Sequence, residues 1–288
     1  MKGMKARGSI IIAALVLAAA PPASGAEGEG AGSGKGVPPG WSTLTTVHFE
    51  FVYHPGASAH VEQIAIGAEE DLARVLDVVG LDDIAPIEVV VCRNTKELAG
   101  MKPGQAPPSW ATGMALRDRR MVLLSLTAPD GATPTAARGI FLHEVVHVAT
   151  WDAAGGRDLP VWFNEGLAVW VSGENAFERR KVLVSASLTN DLLPLESLSR
   201  HYPGDGRGVN VAYAQSADVV GFIESEFGPG IVRKVLGRVG QSFGEEGGVQ
   251  DLRHVTGKTE DLARKRIQIV FQDPYSSLNP AFTIFQSL

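Results

Sequence analysis

The chain has 288 residues, 44% of them hydrophobic and 20% charged, with a formal net charge of −6. That is ordinary globular composition, enough for one large domain or two small ones. An acidic chain without a basic cluster argues against nucleic acid as a partner, and the single cysteine, Cys92, excludes an internal disulfide framework.

Lys2, Lys5 and Arg7 precede an apolar run from Ile10 to Ala20, which is followed by Pro21, Pro22 and small residues through Ala26. A basic start, a short apolar centre and small residues at the cut form the pattern of a secretory signal peptide, so residues 1–26 are expected to be removed on export to the periplasm or the medium. The apolar run is short for a bilayer span, which takes about 20 residues. No stable membrane span is therefore expected after cleavage; the alternative is an uncleaved anchor. Cleavage removes three positive charges and no negative ones, leaving the mature chain more acidic still.

Residues 27–40, EGEGAGSGKGVPPG, read as a flexible Gly-rich linker. Order is expected from Trp41. TVHFEFVY alternates around Val47, Phe49, Phe51 and Tyr53, the period of a half-buried strand. From Ser58 to Val79 the apolar residues Val61, Ile64, Ala65, Ala68, Leu72, Val75, Leu76 and Val79 fall on one helical face. PIEVVVCR predicts a second strand, where Cys92 reads as a small buried hydrophobe, and Asn94 is placed to cap a short helix through Ala99. TGMALRDRRMVLLSL predicts two strands joined by a charged turn at Arg117–Arg120. Strands and helices mixed ahead of the main helices predict an α+β fold, with an N-terminal mixed sheet and a helical C-terminal part.

Thr133-Pro134 then offers a capping hydroxyl followed by proline at the first helical position. The predicted helix runs through FLHEVVHVAT (141–150) and stops near Gly155-Gly156. Pro160 opens another, VWFNEGLAVWVSG, ending at Gly173. Helices are also predicted over Ala176–Ser187, Ala214–Phe227 and Ile231–Val239.

His143 and His147, four residues apart on a helix, differ by about 40° in azimuth, so both imidazoles leave one face a turn apart. Two ring nitrogens can then reach one Zn²⁺ at about 2.0–2.1 Å. Glu144 flanks that face, free to act as a general base toward the attacking water. A third ligand is needed, and Glu165 stands 18 residues after His147 on the next helix, past a Gly-Gly break that turns the chain back. His₂Glu with an open fourth position is a known catalytic zinc set, so one zinc per chain is expected. The bland alternative is a pair of satisfied core histidines. Against it stands the apolar run around them, where unpartnered ionisable groups would be costly.

HEVVHVAT…LPVWFNEGLAVWVSG resembles the gluzincin metallopeptidases, and within them the bacterial peptidase MA-like domains. The similarity covers about residues 41–260 and implies a zincin-like metallopeptidase domain over 41–263. It implies His143, His147 and Glu165 as zinc ligands, Glu144 as general base, and a strand near Met121–Leu126 pairing its edge with a peptide or protein substrate. One departure is Val169. In the thermolysin-type pattern an acid one turn after the glutamate ligand orients a histidine, so here the orienting group must be another, Asp152 or a backbone carbonyl. Asn164 is placed either to bond locally or to orient Glu165. The resemblance also suggests Tyr213, near the start of the 214–227 helix, as donor to the developing oxyanion; packing in the core is its alternative role. His201 and Tyr202 are weaker candidates, and His48, His54 and His60 lack ligand spacing.

The tail changes character. RKRIQIVFQDPYSSLNPAFTIFQSL (264–288) resembles the Q-loop segment of ATP-binding subunits of oligopeptide-type ABC importers, in which the position of Gln272 senses the nucleotide-bound metal. Gly257-Lys258-Thr259 ends like a phosphate loop, but Leu252 holds the first glycine position, and Lys258 lies only 14 residues before Gln272. ATP binding is therefore not expected, and the segment is read as a non-functional fragment joined near Leu262–Lys265 by fusion, frameshift or assembly error. The reading is an exported zinc metallopeptidase. Its alternatives are a non-catalytic zinc-binding or scaffold module of the same fold and, behind that, a fragment of an ABC ATPase.

Overall fold

The computed structural model describes residues 38–101, 111–127, 137–174, 176–204 and 206–241. The expected signal peptide, most of the linker, the Thr133-Pro134 helix start and the ABC-like tail lie outside the described residues. The described residues up to Gly237 belong to one unit; of a second, Arg238–Leu288, only Arg238–Gln241 are described.

Five strands form one mixed sheet: β1 (Ser42–Thr45), β2 (Phe49–Tyr53), β3 (Ile87–Cys92), β4 (Gly113–Leu116) and β5 (Met121–Ser125), in the order β1-β2-β3-β5-β4. The central strands β2, β3 and β5 run parallel, and β1 and β4 are antiparallel edges. The apolar run of β3 is buried on both faces, as an interior parallel strand demands. Val90 and Cys92 pack with Leu98, Met114 and Leu123 on one side. On the other, Phe49 and Phe51 of β2 meet Phe141 of the central helix at ring-centroid distances of 5.1 and 5.8 Å. Cys92 is fully buried, and burial pushes its thiol up to about 12.

The alternating segment from Thr46 is only partly strand. Thr46 N–H donates to Phe49 O (2.9 Å), closing a tight turn, and Val47 is exposed. The turn joins β2 to β1, whose polar STLT sequence carries no apolar signal. Of the histidines without ligand spacing, His48 and His54 make structural contacts and His60 is exposed. His48 bridges Glu69 (2.7 Å) and Asp83 (2.9 Å), and His54 pairs with Glu97 (2.9 Å) under Trp41.

Helix α1 (Ser58–Val79) has the predicted bounds and ends at Gly80 with φ 83°. Its buried Asp71 accepts from Arg138 Nε (2.7 Å) and Nη2 (3.0 Å), which ties α1 to the first turn of α3 (Ala137–Ala153). Asn94 caps α2 (Thr95–Met101) as expected, its Oδ1 accepting from Glu97 N–H at 2.9 Å. Helices α4 (Val161–Ser172), α5 (Ala176–Thr189), α6 (Gly206–Phe227) and α7 (Ile231–Gln241) follow. None of the described helices is long and apolar enough to cross a membrane.

Two expectations are corrected. The 121–126 strand is not an edge: β5 lies between β3 and β4, so among the described residues the edge on that side is β4. Helix α6 begins at Gly206 rather than Ala214, which puts Tyr213 about two turns inside it. Gly206, Gly208 and Asn210 are weak helix formers, yet Val211 to Ala214 are buried, so packing overrides propensity.

The helix that approaches Gly166 closely is α6. A Cβ on Gly166 would stand 2.4 Å from Ser216 O and 2.6 Å from Ser216 C, backbone atoms that cannot swing aside. Gly166→Ala would gain about 1 kcal/mol of helix propensity, but overpacking typically costs about 1–3 kcal/mol. The expected outcome is net destabilisation, seen as a lower urea midpoint at unchanged m-value; a raised midpoint would show that α4 and α6 separate freely.

Candidate metal centre

Helix α3 is buried at every position from Ile140 to Thr150. A helix buried all round is normally apolar all round, and this one carries His143, Glu144 and His147, each no more than 3% exposed. The chain leaves α3 through Gly155 (φ 64°) and Gly156 (φ 75°), left-handed positions that suit glycine, and Gly156 packs on Trp151. Pro160 then sits at the N-cap of α4, and Glu165 arrives in the second turn, 2% exposed. The break thus turns the chain back as expected, and α4 lies against α3.

The structure brings the three proposed ligands together. One ligand atom from each of His143, His147 and Glu165 lies within 4.8 Å of the others. Glu165 Oε2 stands 3.6 Å from His143 Nε2 and 3.7 Å from His147 Nε2, too far for hydrogen bonds and close enough to share an ion between them. These same three atoms are buried without a hydrogen-bond partner. Orphaned polar atoms are rare in protein interiors, so three converging on one point fit a shared cation. The donor set, two imidazoles and one carboxylate, suits zinc.

The protonation preferences agree. Burial drives the Glu165 carboxyl upward despite His143, and drives Glu144 upward with help from Glu165 and Glu174. His147 is held well below the ordinary imidazole value by burial and by His143. Burial pulls His143 down too, but Glu165, Glu144 and Glu174 together raise it. Protons stand in for a positive charge that the carboxylates require, and a divalent ion would supply that charge instead.

Glu144 is not part of the three-atom cage. Ala115 N–H of β4 donates to its carboxylate, while Oε2 is buried without a partner. Ser125 N–H donates to Thr112 O (2.7 Å), so Gly113 and Ala115 fall in the register whose N–H and C=O groups face away from β5. The β4 edge of the sheet therefore meets the Glu144 carboxylate.

The groups around the histidines differ from those expected. Asp152 pairs with Arg120. Asn164 Nδ2 lies 2.9 Å from His147 Nδ1 and 3.5 Å from Glu165 Oε1. With a metal on Nε2 the ring keeps its proton on Nδ1; the amide would then turn its oxygen to Nδ1 and give up the Nδ2 contact with Glu165. His143 Nδ1 faces Glu174 Oε2 at 3.6 Å, a residue that sequence reasoning passed over. Tyr213 is buried with Val169 and Ala217, its ring edge-on to Tyr202 at 4.9 Å. Tyr202 donates to Ser216 Oγ (2.7 Å), and His201 is exposed.

A search of curated proteins found no match. Solved structures of similar shape include native yeast LTA4 hydrolase, with a TM-score of 0.48 and 11% identity over 80% of this chain and 38% of that one. The native enzyme from Saccharomyces cerevisiae, leukotriene A4 hydrolase, gives 0.43 and 13% over 68% and 33%. The yeast enzyme in complex with Bestatin gives 0.45 and 12% over 80% and 39%. The chain thus spans well under half the length of each. Residues 67–257, more than half of the chain and including both helices of the cage, match the family model of the Peptidase MA superfamily, and the chain belongs to that superfamily.

Proposed function

We propose that the protein is an exported zinc-dependent peptidase that hydrolyses peptide bonds in a peptide or protein substrate. The observation that carries the reading is the convergence of His143 Nε2, His147 Nε2 and Glu165 Oε2, all orphaned and buried, beside the partnerless Oε2 of Glu144. Export rests on the pattern of residues 1–26.

Zinc held by His143, His147 and Glu165 would supply Lewis acidity toward a water and the scissile carbonyl. Glu144 accepts the proton of the attacking water at Oε2 and passes it to the leaving amine nitrogen. The Ala115 N–H fixes the other side of that carboxylate. An extended substrate has the β4 edge available for main-chain pairing, with the outward N–H and C=O of Gly113 one residue pair from the base. Tyr213 is the proposed donor to the carbonyl oxygen as it gains charge. Its ring lies against Val169, one helical turn past Glu165.

Metal content and turnover separate this reading from a non-catalytic zinc module. Purified protein should hold about one zinc per chain, and His147→Ala should lose it. Glu144→Gln should keep the metal and lower peptide hydrolysis by about 10²–10⁴-fold. Zinc in the wild type with no turnover on a peptide library would favour the non-catalytic module.

Gly113 gives a second test. A Cβ there would stand 2.6 Å from both Glu144 Oε1 and Ile140 Cγ2, so these two side chains would have to shift. Gly113→Ala should therefore leave zinc content intact and cut kcat by displacing the base; a full-rate variant would refute the placement of Glu144 beside the β4 edge. Tyr213→Phe should lower kcat by about 10²–10³-fold at unchanged zinc affinity if the phenol stabilises the oxyanion. An unchanged kcat would return Tyr213 to a packing role.

A further inference from the structure

The two nitrogens of His143 face opposite ways. Nε2 points to Glu165 and the shared centre, and Nδ1 is buried without a hydrogen-bond partner. The carboxylate facing it is Glu174 Oε2, 3.6 Å away, on a residue only 8% exposed. Glu174 is not a fourth ligand, because it lies across the ring from the cage and outside the cluster of converging ligand atoms.

The local chain explains how an acid reaches that place. Helix α4 ends at Gly173, whose φ of 64° reverses the backbone at no side-chain cost. Ser172 Oγ donates to Val169 O (3.3 Å) and accepts from Glu174 N–H (3.4 Å), pinning the first residue after the turn. Arg179 of α5, partly buried, also donates to Val169 O (3.3 Å) and places its charge near the Glu174 carboxylate. A buried carboxylate held this way has two cationic or proton-bearing neighbours, His143 and Arg179.

We infer that Glu174 is the positioning residue of His143: its carboxylate accepts a hydrogen bond from Nδ1–H, fixing the tautomer and ring orientation that present Nε2 to the metal. The inference rests on the zinc reading above. It assigns to a residue beyond the C-cap of α4 the task that Val169 cannot perform. A shift of the Glu174 carboxylate by a little under an ångström closes 3.6 Å to a charge-assisted hydrogen bond of about 2.7–2.9 Å. An imidazole so held is a more basic ligand, and loss of such a partner typically costs about 10–100-fold in metal affinity.

The test is zinc affinity of the full chain by competition with a chromogenic chelator, together with the imidazole N–H proton resonances of the zinc-loaded protein. Wild type should show a slowly exchanging Nδ1–H from His143, shifted downfield by its carboxylate partner. Glu174→Ala should weaken zinc by about 10–100-fold and lose that resonance, with the circular dichroism of the metal-free protein unchanged. Glu174→Gln keeps an acceptor without the charge and should fall between the two; it decides the matter if the alanine variant does not fold. Affinity within twofold of wild type in a folded variant overturns the inference and leaves the zinc reading standing. Failure of the wild type itself to bind zinc sinks that reading first, so the two failures are distinguishable.

Discussion

The constraint on which the structure turns is the burial of four ionisable side chains, His143, Glu144, His147 and Glu165, with too few protein partners to satisfy them. Each unsatisfied polar group in an interior costs about 1–3 kcal/mol, more when charged. Several together approach the whole of a domain's net stability, which is about 5–15 kcal/mol. Such a cluster is tolerable only if something else completes it. A divalent ion shared by two imidazoles and a carboxylate does so in one step, which is why the arrangement speaks for a metal more strongly than the HExxH spacing does.

The surroundings then follow as conditions for keeping that cluster dry and aimed. The face of α3 that does not carry the cage rests on the Phe49–Phe51–Phe141 contact with the sheet, and Arg138 anchors its first turn to Asp71 on α1. Helix α4 is clamped from behind by α6, and the absence of a side chain at Gly166 sets their separation. On the open side β4 brings a backbone N–H to Glu144, and the absence of a side chain at Gly113 leaves room for that carboxylate. Glycine at these two positions is a matter of space around the site rather than of backbone conformation.

Much of this was legible in the sequence. The bounds of α1, the capping of α2 by Asn94 and the Gly-Gly turn between α3 and α4 come from local signals: period, cap and left-handed glycine. The three candidate ligands were legible because helical geometry converts a spacing of four into proximity, and a turn of known length does nearly the same for Glu165. What failed to show were features decided by distant contacts. Strand β1 has a polar sequence and exists because β2 offers it an edge. The first turn of α6 is glycine-rich and largely exposed, and burial holds the helix only from Val211. Strand β5 looked like an edge because strand order cannot be read from a hairpin alone; its neighbour β3 lies some 30 residues upstream.

Glu174 shows where such reading stops and why. The helical period from Glu165 leads to Val169, which packs against Tyr213 and Ala217 and cannot orient a histidine. The acid that faces His143 comes after the helix has ended, where periodicity no longer predicts direction. Its only local mark is a carboxylate directly behind the terminating Gly173, and a carboxylate there is ordinarily solvated and adverse to the helix dipole. Its burial is therefore the informative fact. A residue placed against both its own propensity and its hydration needs a compensating partner, and among the groups that face it, the Nδ1 of His143 is the one whose proton has nowhere else to go.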